Sequence, residues 1–348
     1  MAVIPLAALA ALAALLAGLR GHNAAQAKSI AVGLIFDSPN IDQTSYCWLA
    51  MEGLRRAENE LGVAGTVYTT TKPEDFLPRL ETCIQDGNDL CISVSFFSAD
   101  PALQSAEQHP GRHFAVIDYI FPISTPHNLR GIYFAEDEAG YLAGVLAGML
   151  SKDNLVGGIG GIPVPAVVRY LEGYRNGAYC QNASTRVALA YTNDFDNPQH
   201  GAQAALGLID LGADVIFAAA GLSGHGAILT STQSGILAIG VDNDQYLTLF
   251  MSGTVPGAQY LVTSAMKRFD NAVYDTIADV ISGTFTSGNQ LYNLEVNGVG
   301  LAPFHEADPL ITTQMRQALE AVEKGIISGQ IEIYDPCRQF QYLPLVIH

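Results

Sequence analysis

The sequence predicts an α/β protein of two lobes, each a doubly wound parallel sheet, joined by a hinge of several strands. From Ser29 onward, short apolar runs alternate with segments of helical periodicity, which is the pattern of a parallel sheet covered by helices on both faces. The alternation ends near Phe134 and then begins again. No linker of distinct composition separates the halves, so we expect the chain to cross between the lobes more than once.

The first half contains five apolar runs of strand length. Helical segments lie between the early runs, at about Ser45–Leu61 and Lys72–Gln85. Together these segments complete one doubly wound unit. The predicted strands are IAVGLIF, GTVYTTT, LCISVSFF, HFAVIDYIF and LRGIYF.

The second half opens with the helix DEAGYLAGVLAGMLS, which is too short to span a membrane and which we predict to be buried against a sheet. The runs NLVGGIGG, RVALAYT, ADVIFAAAG and LAIGVD then alternate with helices, and YLVTSAMK, the helix RFDNAVYDTIADVISG and a last helix at 312–329 follow. We therefore assign residues 28–136 and about 243–285 to the first lobe. Residues 137–242 and part of 286–348 form the second lobe and a C-terminal tail.

The N-terminus predicts export. Residues 1–19 are apolar or small, and Ala25-Gln26-Ala27 supplies a small-x-small cleavage site after a polar spacer. We predict a signal peptide over residues 1–27, with an uncleaved membrane anchor as the alternative. Leu19 stands where a lipoprotein would carry its lipidated cysteine, so no lipid anchor is predicted.

The charge of the chain argues against a nucleic-acid partner. Seventeen Lys and Arg residues against 34 Asp and Glu residues give a formal net charge of -17. Polyanion binding requires clustered basic side chains, and those of this sequence are scattered.

Five cysteines remain after the predicted cleavage, so at least one is unpaired within the chain. Cys83 and Cys91 flank the loop CIQDGNDLC and are the first candidates for a disulfide. No Cys-x-x-Cys or His-x-x-x-His spacing occurs, so neither a metal nor a cofactor is predicted.

Polar, aromatic and glycine residues follow the predicted strands. Ligands of open parallel sheets bind beyond the carboxyl ends of the strands, so these residues are expected to face one small-molecule cleft. Asp42 could also cap the first helix, and we interpret His225 as a solvated loop residue. Tyr46 and Phe195 could stack on a flat ring, with ordinary packing as the alternative. The positions are 37–48, 96–98, Asp118, Glu136, 160–161, 192–195, 221–226, 242–245 and Lys267.

The same residues favour binding over catalysis. Asp118 and Asp242 could act as acid and base or could accept hydrogen bonds from a vicinal diol, but the sequence identifies no nucleophile or metal beside them. LVGGIGGIPVP fails the dinucleotide pattern because Pro163 stands at the third glycine. GLSGHG lacks the lysine and the hydroxyl residue of a phosphate loop.

The order of the motifs along the chain is specific. DSPNIDQTSYCWLAMEG is followed by HFAVID, GIYFAEDEAGYLAGVLAGML, VGGIGG with LEGYRNGA, YTNDFDNP, GADVIFAAAGLSGHG, IGVDNDQ and VTSAMKRFDNAVYDTI. This series, which covers about residues 29–285, resembles the basic membrane protein family, the PnrA-like nucleoside-binding proteins of bacterial ABC importers. The family's opening pattern, roughly D-T-G-G-I-D-D-K-S-F-N-Q-x-x-W-E-G, aligns without a gap. The resemblance implies the type I periplasmic binding protein fold.

The resemblance also implies a pair of aromatic rings that hold a nucleobase. Tyr46 matches the phenylalanine that stacks on the base, and Phe195 matches the opposing aromatic of the second lobe. Asp42 matches an aspartate of the same segment. Phe97, which follows the third strand, is assigned to the site from its position.

Four polar or glycine positions complete the implied site. Asp118 matches an aspartate that contacts the ligand, while Asp242 and Lys267 match the pair that hydrogen-bonds the ribose hydroxyls. A carboxylate held by a cation can accept two hydrogen bonds from a cis-diol. Gly224 or Gly226 matches the glycine loop whose backbone approaches the sugar.

The segment at 37–48 departs from the family at the positions nearest the base. Cys47 stands where the family has an asparagine that hydrogen-bonds the base edge, and a thiol is a much weaker partner than a carboxamide. Gln43 replaces the second aspartate, and Pro39 and Asn40 replace two glycines. The identity of the base is therefore open.

The implied function is that of a secreted, monomeric solute-binding protein that carries a nucleoside, with a purine nucleoside favoured, to the permease and ATPase subunits of an ABC importer. No covalent chemistry is expected. One alternative is that the ligand is a free base, a sugar or another small polar ring compound. Another is a ligand-sensing subunit of a receptor, and an enzyme such as a nucleoside hydrolase is disfavoured.

Overall fold

Six strands form the first sheet of the computed structural model, which describes residues 30–39, 41–45 and 48–334. The strands are β1 (Ala31–Phe36), β2 (Ala64–Thr69), β3 (Leu90–Val94), β4 (His113–Ile117), β5 (Leu129–Phe134) and β11 (Gly288–Tyr292). Their order is β11-β5-β4-β3-β1-β2, and all neighbours are parallel. Every residue of β3 is buried, as expected for a central strand covered on both faces.

The second sheet also has six strands. They are β6 (Leu155–Gly160), β7 (Arg186–Tyr191), β8 (Val215–Ala219), β9 (Leu237–Asp242), β10 (Leu261–Lys267) and β12 (Val299–Leu301). Their order is β12-β10-β9-β8-β6-β7, with β12 antiparallel to β10 and the other pairs parallel. The two parallel-dominated sheets confirm the predicted α/β architecture.

Helices cover both sheets. Those of the first lobe are α1 (Trp48–Leu61), α2 (Phe76–Gln85), α3 (Ala99–Gln108) and α8 (Phe269–Ser282). Those of the second lobe are α4 (Glu136–Leu150), α5 (Pro165–Gln181), α6 (Pro198–Asp210), α7 (Gly221–Gln233) and α9 (Thr313–Ile327). Short 3-10 turns lie at Pro73–Asp75, Phe96–Ser98, Ala258–Tyr260 and His305–Leu310.

Glycines allow α4 and α5 to pack with their backbones in close contact. A Cβ at Gly144 of α4 would clash with the carbonyl oxygen of Tyr174, and one at Gly177 of α5 would clash with that of Tyr141. The Ala- and Gly-rich composition of α4 therefore serves helix packing, and most of its residues are buried, as predicted. Among the described residues, no helix is long and apolar enough to cross a membrane.

Three segments of the chain cross side by side between the lobes. Ala135 links β5 to α4, Arg268 links β10 to α8, and residues 293–298 link β11 to β12. The Ala135 amide donates to the Tyr292 carbonyl at 3.0 Å, and the Arg268 amide donates to the Gly298 carbonyl at 2.9 Å. These hydrogen bonds join the crossing segments into one hinge.

The lobe boundaries differ from those assigned from the sequence. Residues 243–285 were expected in the first lobe, but β10 pairs in parallel with β9 and so belongs to the second sheet. The return to the first lobe comes at α8, which packs on α1, and continues through β11. The apolar pattern of β10 does not identify its neighbouring strand, because a strand buried on both faces would have the same pattern in either sheet.

A disulfide joins Cys83 to Cys91, the pair expected from the sequence, with 6.5 Å between their Cα atoms. It connects the last turn of α2 to the start of β3. Cys180 of α5 is disulfide-bonded as well. The predicted signal peptide, residues 1–27, lies outside the described part of the chain.

Candidate ligand-binding cleft

Two carboxylates stand at the carboxyl ends of the sheets, one from each lobe. Asp118 directly follows β4, and Asp242 is the last residue of β9. Both have left-handed backbone conformations, with φ of 68° and 66°. Such conformations are uncommon for residues other than glycine and occur often at functional sites. The sequence placed both aspartates correctly at strand ends.

Lys267, the last residue of β10, lies between the lobes. Its Nζ donates to Asp118 Oδ2 at 2.8 Å and to Oδ1 at 3.0 Å, and only 5% of its side chain is exposed. The rings of Phe134 and Phe269 lie 5.7 and 5.2 Å from the ammonium. The resemblance pairs Lys267 with Asp242, whereas the hydrogen-bonded partner in the structure is Asp118.

Two charged residues without an assigned role from the sequence complete this cluster. Glu136, the first residue of α4, is fully buried, and its Oε2 accepts a hydrogen bond from Arg169 Nε of α5 at 2.7 Å. Glu136 Oε1 lies 3.6 Å from Lys267 Nζ. The sequence indicates Glu136 only as a residue after the fifth strand. Arg169 lies within a helix, where spacing gives no signal for a buried ion pair.

Burial and mutual repulsion shift the pKa values of this cluster. Burial raises the pKa of Asp242 to about 6, with the Lys267 charge opposing and the Asp118 and Glu136 charges reinforcing the rise. Burial likewise raises the pKa of Glu136. Burial by itself would lower the pKa of Lys267, but the three carboxylates together raise it above its ordinary value. Lys267 is therefore a cation at neutral pH.

Phe195 lies in the segment after β7 and is held there by its neighbours. Its ring packs directly against Gly161, where a Cβ would clash with it. The carboxylate of the adjacent Asp194 accepts hydrogen bonds from Ser223 Oγ and His200 Nδ1. These two bonds, in that order, lower the pKa of Asp194 to about 2.

The Ser223, Asp194 and His200 side chains do not form a catalytic triad. In a triad the histidine lies between the serine and the carboxylate and takes the serine proton. Here the carboxylate lies in the middle. The same carboxylate also accepts the Asn197 amide at 3.2 Å, so its bonds join the segment around Phe195 to the starts of α6 and α7.

The two glycines assigned to the sugar lie in α7. A Cβ at Gly226 would clash with the Pro198 carbonyl, so this glycine permits close packing of α7 on α6. A Cβ at Gly224 would lie 3.5 Å from the Ala218 carbonyl of β8, in ordinary contact. Gly224 and Gly226 are both buried. Their contact with a sugar stays a prediction.

His225 of the same helix lies near enough to Asp42 of the first lobe to be influenced by its charge. It is part of α7 and is partly buried, so the interpretation as a solvated loop residue is wrong. Burial lowers its pKa to about 4, against the opposing influence of the Asp42 charge. Asn243 Nδ2 also reaches across the cleft to the Ser45 carbonyl at 3.4 Å.

The segment before α1 supplies the first lobe's side of the cleft. The Asp42 carboxylate accepts the Thr44 amide at 2.8 Å and the Thr44 hydroxyl at 2.6 Å, and these bonds lower its pKa. Asp42 thus stabilises its own turn. Tyr46 and Cys47, predicted to contact the base, lie outside the described residues.

Phe97 presents an exposed aromatic face after β3. It lies in the turn Phe96–Ser98, in which the Ser95 hydroxyl accepts the Phe97 amide at 3.3 Å. The rings of Phe96 and Phe97 are 4.2 Å apart between centroids and are both about half exposed, at 50% and 49%. An exposed aromatic at a strand end is available to a ligand, and its assignment to the site stays a prediction.

Two lobes, three crossing segments and a polar cleft at the strand ends define the type I periplasmic binding protein fold. An ABC transporter solute-binding protein from Aeropyrum pernix has the same fold, with a TM-score of 0.74 and 24% identity over 87% of this chain and 92% of that one.

Residues 30–336 match the family of PnrA-like ABC transporter substrate-binding proteins, and the chain belongs to this family. The ABC transporter nucleoside-binding protein BmpA of Lactococcus lactis is 28% identical over 335 residues, which are 91% of this chain and 93% of that protein. An uncharacterized lipoprotein of Pyrococcus horikoshii is 31% identical over 297 residues, 81% of this chain and 71% of that protein. The family resemblance seen in the motifs is confirmed.

Proposed function

We propose that this protein is an extracytoplasmic solute-binding protein of an ABC importer and that it binds a nucleoside, with a purine nucleoside favoured, between its lobes. The observation that carries the proposal is the pair Asp118 and Lys267 beside Asp242 at the carboxyl ends of both sheets. A ribose offers two hydroxyl donors, which match carboxylate acceptors fixed by a cation.

The cleft supports a ligand with both a polar and a flat part. Asp118 and Asp242 supply acceptors for hydroxyl groups, while Phe195, fixed against Gly161, supplies an aromatic face. Aromatic rings pair favourably with other rings in offset-stacked or edge-to-face arrangements, and a nucleobase offers such a ring. BmpA of Lactococcus lactis, which is similar over 91% of this chain, is named as a nucleoside-binding protein.

The ligand can be identified directly. Small molecules released from the purified protein by denaturation should include a nucleoside in the mass spectrum. A panel of nucleosides, free bases and sugars should raise the melting temperature selectively, because a ligand that binds only the folded state stabilises it. A shift with sugars or free bases and none with nucleosides would contradict the proposed ligand and support the alternative of another polar ring compound.

The proposed partners are the permease and ATPase subunits of the importer, to which a monomeric, loaded protein presents its closed lobes. A receptor-sensing subunit is the competing role, and reconstitution with the importer subunits separates the two because only an importer moves the nucleoside across a membrane. No turnover is proposed. Release of free base and ribose from a bound nucleoside would show turnover and contradict the proposal that the protein only binds its ligand.

The proposed location is outside the cytoplasmic membrane, after cleavage behind Ala27. A similar relative is named a lipoprotein, so the N-terminus requires its own measurement. The intact mass of the exported protein should correspond to residues 28–348 without lipid. A larger mass that includes acyl chains would contradict the predicted absence of a lipid anchor.

A further inference from the structure

Glu136 has a buried carboxylate oxygen whose environment is incomplete. The residue lies at the first crossing between the lobes, and none of its side chain is exposed. Arg169 satisfies Oε2, but Oε1 accepts no hydrogen bond from the described residues. A carboxyl oxygen buried without a hydrogen bond is costly, so its presence at this position requires an explanation.

Lys267 is the cation that can reach this oxygen. Its Nζ lies 3.6 Å from Glu136 Oε1, just beyond hydrogen-bond distance, while it donates to both oxygens of Asp118. An ammonium group has three donors on a flexible stem. A movement of about 1 Å or less would turn the contact with Glu136 into a charge-assisted hydrogen bond.

We propose that Glu136 is a positioning residue of the ligand site, which accepts a hydrogen bond from Lys267 when a ligand hydroxyl takes an oxygen of Asp118. The inference rests on the proposed function for the ligand hydroxyl. Both Asp118 oxygens accept from the ammonium, so a ligand hydroxyl that approaches either oxygen from the Lys267 side competes with one of these bonds. Glu136 Oε1 can then accept the hydrogen bond that Lys267 no longer donates to Asp118, so the ammonium donates as many hydrogen bonds as before.

Arg169 and the position of the cluster in the hinge complete this arrangement. Arg169 holds Oε2 from α5, so Oε1 is directed to the Lys267 side. Glu136 and Lys267 adjoin two different crossing segments, at Ala135 and Arg268. The ion-pair chain Arg169–Glu136–Lys267–Asp118 therefore runs from the second lobe through the hinge to the first.

The test compares Glu136→Gln with Asp137→Asn, which removes one charge from the same turn of α4. The glutamine of the first variant can still accept from Arg169 but has no charge for Lys267. By calorimetry with the nucleoside that binds best, Glu136→Gln should lower the affinity about tenfold or more, as expected for a charge-assisted hydrogen bond. Asp137→Asn should change it less than about threefold, because no ion pair among the described residues joins the half-buried Asp137 carboxylate to Lys267.

A second measurement separates positioning from simple packing. The Glu136 charge contributes to the raised pKa of Asp242, so carboxyl NMR of the ligand-free protein should show Asp242 titrating at lower pH in Glu136→Gln. The titration in Glu136→Asp, which keeps the charge, should stay closer to wild type. A merely structural role would leave the Asp242 midpoint unchanged.

Unchanged affinity in a folded Glu136→Gln protein overturns the inference, and so does a loss of affinity without a shift of the Asp242 midpoint. If the wild-type protein binds no nucleoside, the proposed ligand is wrong. The Asp242 titration then tests by itself whether the Glu136 charge acts on the cluster: an unchanged midpoint in Glu136→Gln overturns the inference. If Glu136→Gln does not fold, Arg169→Gln replaces it. Removing the donor to Oε2 should also lower affinity, and wild-type affinity in that variant overturns the inference.

Discussion

Replacing Asp242 by asparagine should make the ligand-free protein more stable and the proposed nucleoside complex weaker. Burial raises the pKa of Asp242 from 3.8 to about 6, so its ionised form is unfavourable in the folded state. A rise of this size corresponds to about 3 kcal/mol at neutral pH, an upper bound because the side chain is only partly buried. We expect Asp242→Asn to increase the free energy of unfolding by about 1–3 kcal/mol.

The raised pKa of Asp242 also sets the direction in which the free energy of unfolding changes with pH. Between the unfolded pKa near 3.8 and the folded pKa near 6, native Asp242 keeps a proton that the unfolded chain has lost. Wild-type stability should therefore fall as pH rises through this interval and then level off. The stability of Asp242→Asn should lack this component, so the difference between the two proteins should be small near pH 4 and largest above pH 7.

Urea unfolding from pH 4 to 8, without ligand, measures this difference. Asp210→Asn, an exposed position on α6, is the control and should follow the wild type at every pH. In the same preparations, Asp242→Asn should weaken nucleoside binding by about 2 kcal/mol, because a partly buried, ionised acceptor is lost. An Asp242→Asn protein that is less stable at pH 8, or that binds the nucleoside with wild-type affinity, would refute the reasoning.

Three further changes test the packing and the ring-binding face. Gly144→Ala should lower the free energy of unfolding by about 1–3 kcal/mol in urea, because its Cβ meets the Tyr174 carbonyl, whereas Gly207→Ala on α6 has open space and should not destabilise. Replacing Cys83 and Cys91 by serine should cost about 2–3 kcal/mol in the same assay but leave ligand affinity unchanged, since the bond lies at the start of β3, away from the cleft. Phe195→Leu should weaken nucleoside binding by about 1 kcal/mol in calorimetry, with wild-type affinity as the contradicting result.

The sequence was sufficient to predict the strand ends but not the contacts made there. Asp118, Asp242 and Lys267 could be found because each ends or follows an apolar run, and the carboxyl ends of parallel strands meet at one edge. Which carboxylate binds Lys267 depends on how the two lobes approach each other. The relative placement of the lobes leaves no signal in the local periodicity of the sequence.

The error at His225 has a different cause. The glycines of GLSGHG disfavour a helix by about 1 kcal/mol each, so a loop was the reasonable interpretation of this stretch. In the structure, Gly226 permits α7 to pack directly on α6, and a larger side chain would prevent that contact. Tertiary packing therefore outweighs helix propensity here, and it places His225 near enough to Asp42 for that charge to influence the pKa of His225.

The charged cluster at the hinge contains more carboxyl groups than cations. Asp118, Glu136 and Asp242 lie near two cations, Lys267 and Arg169, so the cluster contains one more carboxyl group than cations. Burial raises the pKa of Asp242, with the Asp118 and Glu136 charges reinforcing the rise, and Glu136 Oε1 accepts no hydrogen bond from the described residues. A ligand that brings neutral hydroxyl donors would supply hydrogen bonds to these oxygens without adding charge, whereas an anionic ligand would increase the repulsion. If the cluster contacts the ligand as proposed, it should favour a neutral polyhydroxyl compound over a phosphorylated one, and a nucleoside should bind more tightly than its nucleotide.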